Sequence, residues 1–298
     1  MLLSKSSPIR LRIKKGIRSL GEMLVSFSKR ISYTPVTVLA HEGRWTICRH
    51  NGIEWKLDTT LGVDSAIYHT GVFEPDSTRL VHRLVKPGMI VADVGANFGY
   101  YTIQFSKTVG DAGKVYAFEP SLKFQERLIH HIDRNQCTNV RVIREGLSDR
   151  AETLRLYDGG DSASFYFGDS NDKSAPVENV RLVTFDSFVR KEKLSRLDFM
   201  KVDIDGHEMR FFRGAKKALT TLRPMILVEC MQLALQKAGS DVEELVSYLR
   251  GLKYELRSEK TGRPFLDDDE LFRETKNCAY SANILCVPEN VNRNTIII

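Results

Sequence analysis

Met89-Ile-Val-Ala-Asp-Val-Gly-Ala-Asn-Phe-Gly-Tyr-Tyr101 is the stretch whose reading decides the fold. Met89 to Val94 is a short apolar run holding one acid. Gly95, Asn97 and Gly99 then follow at two-residue intervals before a helical pattern over Tyr100 to Thr108. That order predicts strand, tight turn and helix. A Cβ at Gly95 or Gly99 would obstruct the sharp turn and any ligand lying against it. The turn opens onto unpaired N–H groups at the start of the helix, which suit an anionic group of a small molecule.

Lys114 to Phe118 reads as a second strand, and Glu119 stands at its tip. In a doubly wound sheet an acid at that tip accepts hydrogen bonds from both hydroxyls of a ribose, so the expected ligand is a nucleoside. A dinucleotide site uses G-x-G-x-x-G, whereas Gly95-Ala-Asn-Phe-Gly99 places a side chain at the middle position. Pyrophosphate is therefore disfavoured. S-adenosylmethionine matches the pieces better than NAD. Its carboxylate can use the helix N-terminus, its ammonium Asp93 or backbone carbonyls, and its ribose Glu119.

Four motifs carry a resemblance: Asp93-Val-Gly-Ala-Asn-Phe-Gly-Tyr-Tyr-Thr102, Val115-Tyr-Ala-Phe-Glu-Pro120, Leu197-Asp-Phe-Met-Lys-Val-Asp-Ile-Asp-Gly-His-Glu208 and Pro224-Met-Ile-Leu-Val-Glu229. In this order they resemble the FkbM family of S-adenosylmethionine-dependent methyltransferases, over roughly Gly71 to Val287. The resemblance implies an α/β fold with a Rossmann-like seven-stranded sheet, mostly parallel with an antiparallel last strand. It also implies transfer of a methyl group to a hydroxyl oxygen of a sugar, glycan or secondary metabolite. Where the family most often has glutamate before Gly-His-Glu, this chain has Asp205, one methylene shorter. An NAD-dependent oxidoreductase and a non-catalytic membrane-associated binding module are the rival readings.

The 298 residues are 42% hydrophobic, enough for a core, and the formal charge is +6. That charge is local: residues 1–34 hold eight basic side chains against Glu22 alone. Ile17, Leu20, Leu24, Phe27 and Ile31 recur at three and four there, one apolar stripe on a basic helix. Either the helix docks on its own domain, or residues 8–32 lie on an anionic membrane surface. No run of about 18 apolar residues makes it a span. Five cysteines without C-x-x-C spacing argue against a zinc site and a disulfide framework, so reduced thiols in a cytoplasm are expected. No nucleic-acid partner is expected, because no aromatic-plus-basic cluster follows.

Residues 35–78 read as a β-rich lead-in, with Asn51-Gly52 marking a type I′ hairpin, and 79–298 as the methyltransferase domain. Glu74 either approaches the pocket or ends a capped loop. Ser148 and Asp149, at the tip of the strand Asn139 to Arg144, are adenine-side candidates or a polar turn. Thr153–Tyr157 and Val180–Phe185 read as strands around a polar loop. Its Phe165-Tyr-Phe167 would form an acceptor platform or pin the loop down.

Asp203, Asp205, His207 and Glu208 crowd the end of the strand Leu197 to Val202, followed by a helix Glu208 to Leu222. Methyl transfer to a hydroxyl is an in-line displacement that needs an acceptor for the departing proton, and Asp203 or His207 can serve. Glu229, ending the strand Met225 to Cys230, is an acceptor-side acid, a second base or one half of an ion pair. Asp93, Gly95, Asn97, Gly99, Glu119 and Ser148 form the expected cofactor set, with no metal. His82, His130 and His131 read as surface residues. Asp267-Asp-Asp-Glu270 lacks EF-hand spacing and reads as a loop or helix start.

Overall fold

The computed structural model describes residues 36–166, 177–276 and 282–289. The amphipathic N-terminal segment, Phe167 and Cys278 lie outside the described residues.

β1 (Thr37–Glu42), β2 (Trp45–His50) and β3 (Ile53–Asp58) form an antiparallel sheet in that order. Asn51 and Gly52 at the β2–β3 turn have φ of 50° and 78°, the paired left-handed conformations of a type I′ turn. The outer edge of β3 is capped by side chains of the helix Leu122–Arg134 and the residue after it. Asn135 accepts from the Glu54 N–H and donates to the Glu54 carbonyl, each at 2.8 Å. His131 Nε2 accepts from the Lys56 N–H at 2.9 Å, which leaves Nδ1–H to donate to the Phe98 carbonyl at 2.8 Å. His131 is thus buried, contrary to the surface placement expected for it. One imidazole ties the lead-in to the glycine turn and satisfies an otherwise exposed strand edge.

The main strands are β4 (Ile90–Val94), β5 (Lys114–Phe118) and β6 (Val140–Ile143). The chain then makes β7 (Gly146–Leu147), β8 (Glu152–Asp158), β9 (Ala163–Ser164) and β10 (Val177–Val183), which form a separate small sheet ordered β7-β10-β8-β9. It returns to the main sheet through β11 (Phe199–Val202), β12 (Met225–Cys230), β13 (Tyr254–Ser258) and β14 (Ala282–Pro288). The main sheet has seven strands ordered β13-β14-β12-β11-β4-β5-β6. β14 is antiparallel to both β12 and β13 and inserts between them; the pairs from β12 to β6 are parallel.

Alternation along these strands sorts the core onto the two faces. Ala92, Val94, Tyr116, Phe118, Met200, Val202, Ile226 and Val228 pack on one face. Val91, Val115, Phe199, Leu227 and Leu285 pack on the other. On this second face the pattern turns polar toward the carboxyl edge. Two residues after Val91, Phe199 and Leu227 come Asp93, Lys201 and Glu229. Lys201 is paired in register with Asp93, and Glu229 with Asn283 of β14. A buried polar row therefore lies under the edge where parallel α/β sheets bind ligands.

Local structure departs from sequence expectation in two places. Val180–Phe185 is not one strand: β10 ends at Val183, and Thr184 caps a helix Phe185–Glu192 by accepting from the Ser187 N–H at 3.1 Å. The helix expected over Glu208 to Leu222 divides at Ala215 into Glu208–Gly214 and Lys216–Leu222. There Gly214 presses on the Ser148 backbone, whose carbonyl would lie 2.0 Å from an added Cβ. Asp267 resolves its ambiguity as the N-cap of a helix Asp268–Thr275.

Candidate active site

The pocket at the carboxyl edge of β4, β5, β11 and β12 has a volume of about 230 Å³. Seven carboxyl groups line it, those of Glu74, Asp93, Glu119, Asp161, Asp203, Asp205 and Glu229, against one ammonium, that of Lys201. Such a field attracts a cation and repels a pyrophosphate. It fits S-adenosylmethionine, which carries a sulfonium and an ammonium, and it is the wrong sign for NAD.

The turn after β4 forms one wall. Gly95, Asn97 and Gly99 have φ of 85°, 50° and 99°. Asn97 tolerates the left-handed region because its Oδ1 accepts locally, from the Phe98 N–H at 2.7 Å. Its Nδ2 donates to the Asp161 carbonyl at 3.0 Å, drawing the β8–β9 loop over the pocket. Glu74 and Asp205, at φ of 44° and 51°, are the other non-glycine pocket residues in this conformation among those described. Backbone strain gathered at a cleft is a mark of functional sites.

Glu119 is held from behind. Its two carboxylate oxygens accept from the N–H groups of Asn97 and Ser121, each at 2.8 Å. Each oxygen keeps a further lone pair, so both can receive ribose hydroxyls. Burial, aided by the charges of Asp205 and Asp93, pushes its carboxyl up to about 7 despite those bonds. Asp93 is buried and accepts from the Thr102 hydroxyl at 2.5 Å, and burial raises it to about 6.

Opposite lies a network around Lys201. Its buried ammonium bonds Asp203 Oδ2 at 2.5 Å and sits 4.5 Å from the centre of the Tyr101 ring. Tyr101 donates its hydroxyl to Glu74 Oε2 at 2.8 Å. Burial opposes the charge on Lys201, but Asp203 and Glu74 outweigh it, and the ammonium is held above its usual range. Burial also opposes the charge on Asp203, yet Lys201 and a hydrogen bond from Glu229 hold that carboxyl low. Burial and the Asp203 charge keep Glu229 well above the carboxylate range, so at neutral pH it is the acid that donates to Asp203. Carboxylate oxygens of Glu74, Asp203 and Glu229 all lie within 4.8 Å of one another. A cation there would compete with the Lys201 ammonium, which already supplies the counter-charge.

The residues read from the sequence divide by location. Asp93, Gly95, Asn97, Glu119, Asp203 and Glu229 line this one pocket. Gly99, Ser148 and His207 are outside its lining. Gly99 is packed on Leu128. His207 is fully buried and bonds the Ser148 hydroxyl at 3.1 Å and the Tyr166 hydroxyl at 2.7 Å, with Phe165 at 4.8 Å between ring centres. Burial, then the Arg210 charge, lower its imidazole to about 3. Asp149 is paired with Arg210 at 2.8 Å. Glu208 closes the turn by accepting from the Ile204 and Gly206 N–H groups at 3.0 and 3.3 Å. Lys201 and Tyr101 were absent from the sequence reading. The signal was available for Lys201, as a charged residue inside an apolar strand two positions before Asp203.

These shifts set the pH dependence of stability. Glu119 and Asp205 near 7, Asp93 near 6 and Glu208 near 8 bind protons more tightly folded than unfolded. They stabilise at low pH, and that contribution is lost as pH rises from their unfolded values through this range. His131 near 4 and His207 near 3 act oppositely, losing stability as pH falls below about 6.5. The four raised acids outweigh the two lowered imidazoles, so thermal melts of cofactor-free protein are expected to show a Tm that falls as pH rises from 4.5 to about 8. A Tm that climbs steadily to pH 8.5 would contradict the buried-acid cluster.

A Rossmann-like sheet with a glycine turn, a buried acid at the tip of its second strand and a strongly acidic pocket at its carboxyl edge defines an S-adenosylmethionine-dependent methyltransferase. The profile of the Methyltransferase FkbM domain matches residues 93–256, more than half of the chain, and the chain belongs to that family. It is 25% identical over 204 residues to the hexuronic acid methyltransferase AglP of Haloferax volcanii, covering 68% of this chain and 78% of that one. It is 33% identical over 89 residues to the catalytic subunit TRM61 of the tRNA (adenine(58)-N(1))-methyltransferase of Candida albicans. That match spans 28% of this chain and 27% of the relative. Among solved structures, an FkbM methyltransferase from Methylobacillus flagellatus aligns with a TM-score of 0.43 at 13% identity, covering 76% of this chain and 66% of that one. A methyltransferase from Aquifex aeolicus aligns at 0.42 and 14%, covering 74% and 92%.

Proposed function

We propose that this chain transfers a methyl group from S-adenosylmethionine to a hydroxyl oxygen of a sugar or glycan. The observation that carries the reading is the acidic pocket with an ionised Asp203 set between Lys201 and a protonated Glu229. When bound, the cofactor supplies an electrophilic methyl carbon on sulfur. Gly95 and Asn97 shape its seat, Glu119 receives the ribose and Asp93 faces the amino-acid end. Asp203 accepts the hydrogen of the acceptor hydroxyl and takes the proton as the oxygen attacks. Lys201 keeps that carboxylate ionised before attack, and Glu74 with Tyr101 borders the acceptor side. His207, bonded to Ser148 and Tyr166, positions the β9 loop and takes no proton. The hexuronic acid methyltransferase relative supports the sugar class.

Two measurements test this. Calorimetry is expected to register binding of S-adenosylhomocysteine and none of NAD. Labelled methyl donor, offered with monosaccharides, uronic acids, glycans and RNA, is expected to leave label on sugars in an alkali-stable form, as a methyl ether. Alkali-labile label would mean esterification of a carboxylate, and label in RNA alone would mean a different acceptor; either overturns the hydroxyl reading.

A further inference from the structure

A second concavity lies on the far edge of the main sheet, away from the catalytic pocket. It occupies about 560 Å³ between β6 and the helix Phe185–Glu192, compared with about 230 Å³ for the pocket that holds Asp203. Its floor is apolar, made by Ile143, Val183 and Phe188. Its rim is cationic: Arg141, Arg144, Arg181, Arg190 and Lys191 against Glu145 and Glu192.

Most of the rim's cationic charge has no counterpart in the fold. Arg141 bonds Glu192 at 3.0 Å and cancels it. Arg144, Arg181, Arg190 and Lys191 have no carboxylate partner among the described residues, whereas Arg44, Arg127, Arg134, Arg210 and Arg257 are all paired with acids. The strip continues onto the small sheet. Arg181 stands opposite Thr153 and Arg155 opposite Asn179, so Arg155 and Arg181 share its exposed face. Arg155 is likewise without a carboxylate partner. Three unpaired guanidinium groups around one groove repel one another unless an anion lies between them. Their planar forks match oxyanions in bidentate pairs.

The chain itself links the groove to the catalytic pocket. Gly146, next to Glu145 of the rim, lies so close to Pro120 that an added Cβ would be 3.5 Å from its ring, and Pro120 lines the catalytic pocket. No exposed aromatic ring stands on the rim, since Phe188 is buried, so bases of a single-stranded nucleic acid have no platform to stack on.

We infer that this groove is a distal subsite for an anionic glycan, a sugar chain bearing carboxylates, whose terminal or neighbouring residue is the methyl acceptor. This rests on the sugar-acceptor reading above and adds the charge class and the place where the rest of the chain is held. The test uses the full-length protein and its Arg144→Gln/Arg181→Gln/Arg190→Gln variant, all three changes being on exposed side chains outside the catalytic pocket. By calorimetry, wild type is expected to bind oligogalacturonate, to ignore a neutral malto-oligosaccharide of equal length, and to lose affinity as salt rises. The variant is expected to bind oligogalacturonate at least about 10-fold more weakly, while its affinity for S-adenosylhomocysteine stays unchanged. Equal binding by both proteins, no binding by wild type, or tighter binding of a polyuridylate of matched charge would each overturn the inference. The two readings fail separately. Methylation of monosaccharides by both proteins with identical oligogalacturonate binding removes the groove alone. Groove-dependent binding without methyl transfer to any sugar removes the acceptor assignment alone.

Discussion

Asp203→Asn is expected to lower kcat by about 10²–10⁴-fold, the range that a general base contributes, while shifting the affinity for S-adenosylhomocysteine by less than about 3-fold. The change keeps the size of the side chain and removes its negative charge. Two consequences follow from the network. Lys201 loses the partner at 2.5 Å that offsets its burial, and Glu229 loses the carboxylate to which it donates. Removing the partly exposed carboxylate leaves the buried Lys201 ammonium without its counter-charge, so the variant is expected to be less stable. Activity is therefore normalised to the fraction that binds S-adenosylhomocysteine. A normalised kcat within a few-fold of wild type would remove Asp203 as the proton acceptor. His207→Gln is the informative comparison, because both ring nitrogens are already bonded inside the protein. It is expected to lower Tm and leave the normalised kcat within a few-fold.

Gly95→Ala is expected to abolish cofactor binding and to cost more than about 3 kcal/mol of stability, a loss from two named sources. The residue has a φ of 85°, which a Cβ disfavours, and that Cβ would stand 1.8 Å from the Asp203 carbonyl oxygen. A backbone carbonyl at the end of a central strand cannot swing aside. The turn after β4 and the tip of β11 must move apart, which opens the seat of the cofactor and shifts Asp203 together. Gly99→Ala provides the internal scale. Its φ of 99° is as unfavourable, but its Cβ would meet Leu128 Cδ1 at 2.6 Å, the far end of a side chain that can change rotamer. It should lose less stability and retain measurable binding. Urea denaturation and calorimetry on both variants decide this. If Gly95→Ala falls within about 1 kcal/mol of wild type, the close approach of the two strand tips is not a constraint on the chain.

The second prediction comes from a contact between residues more than a hundred positions apart, and such contacts mark the limit of what the order of residues conveys. Met89–Tyr101 announced strand, turn and helix by itself, because glycine spacing and apolar periodicity are local properties. Asn51-Gly52 likewise specified its hairpin, since both positions need left-handed backbone. The acids at strand tips were legible because a charged residue ending an apolar run in a parallel sheet must emerge at the carboxyl edge. In this way Glu119, Asp203 and Glu229 could be listed together before their distances were known.

What local pattern could not supply was direction at the ends of elements and partnership across the fold. His207 and Asp203 lie four residues apart in one motif, yet the turn with Asp205 at φ of 51° and Gly206 at 98° sends one side chain toward Ser148 and the other to the pocket. His131 read as a surface residue, and the docking of a strand edge against its helix buried it. Lys201 drew no reading from its place in an apolar strand, and only pairing with Asp93 in register and bonding to Asp203 made it the counter-charge of the site. Backbone preferences and strand periodicity act over a few residues and are written in sequence order. The protonation and aim of each acid depend on which distant groups the closed sheet brings within a few ångströms, and only the tertiary structure decided that.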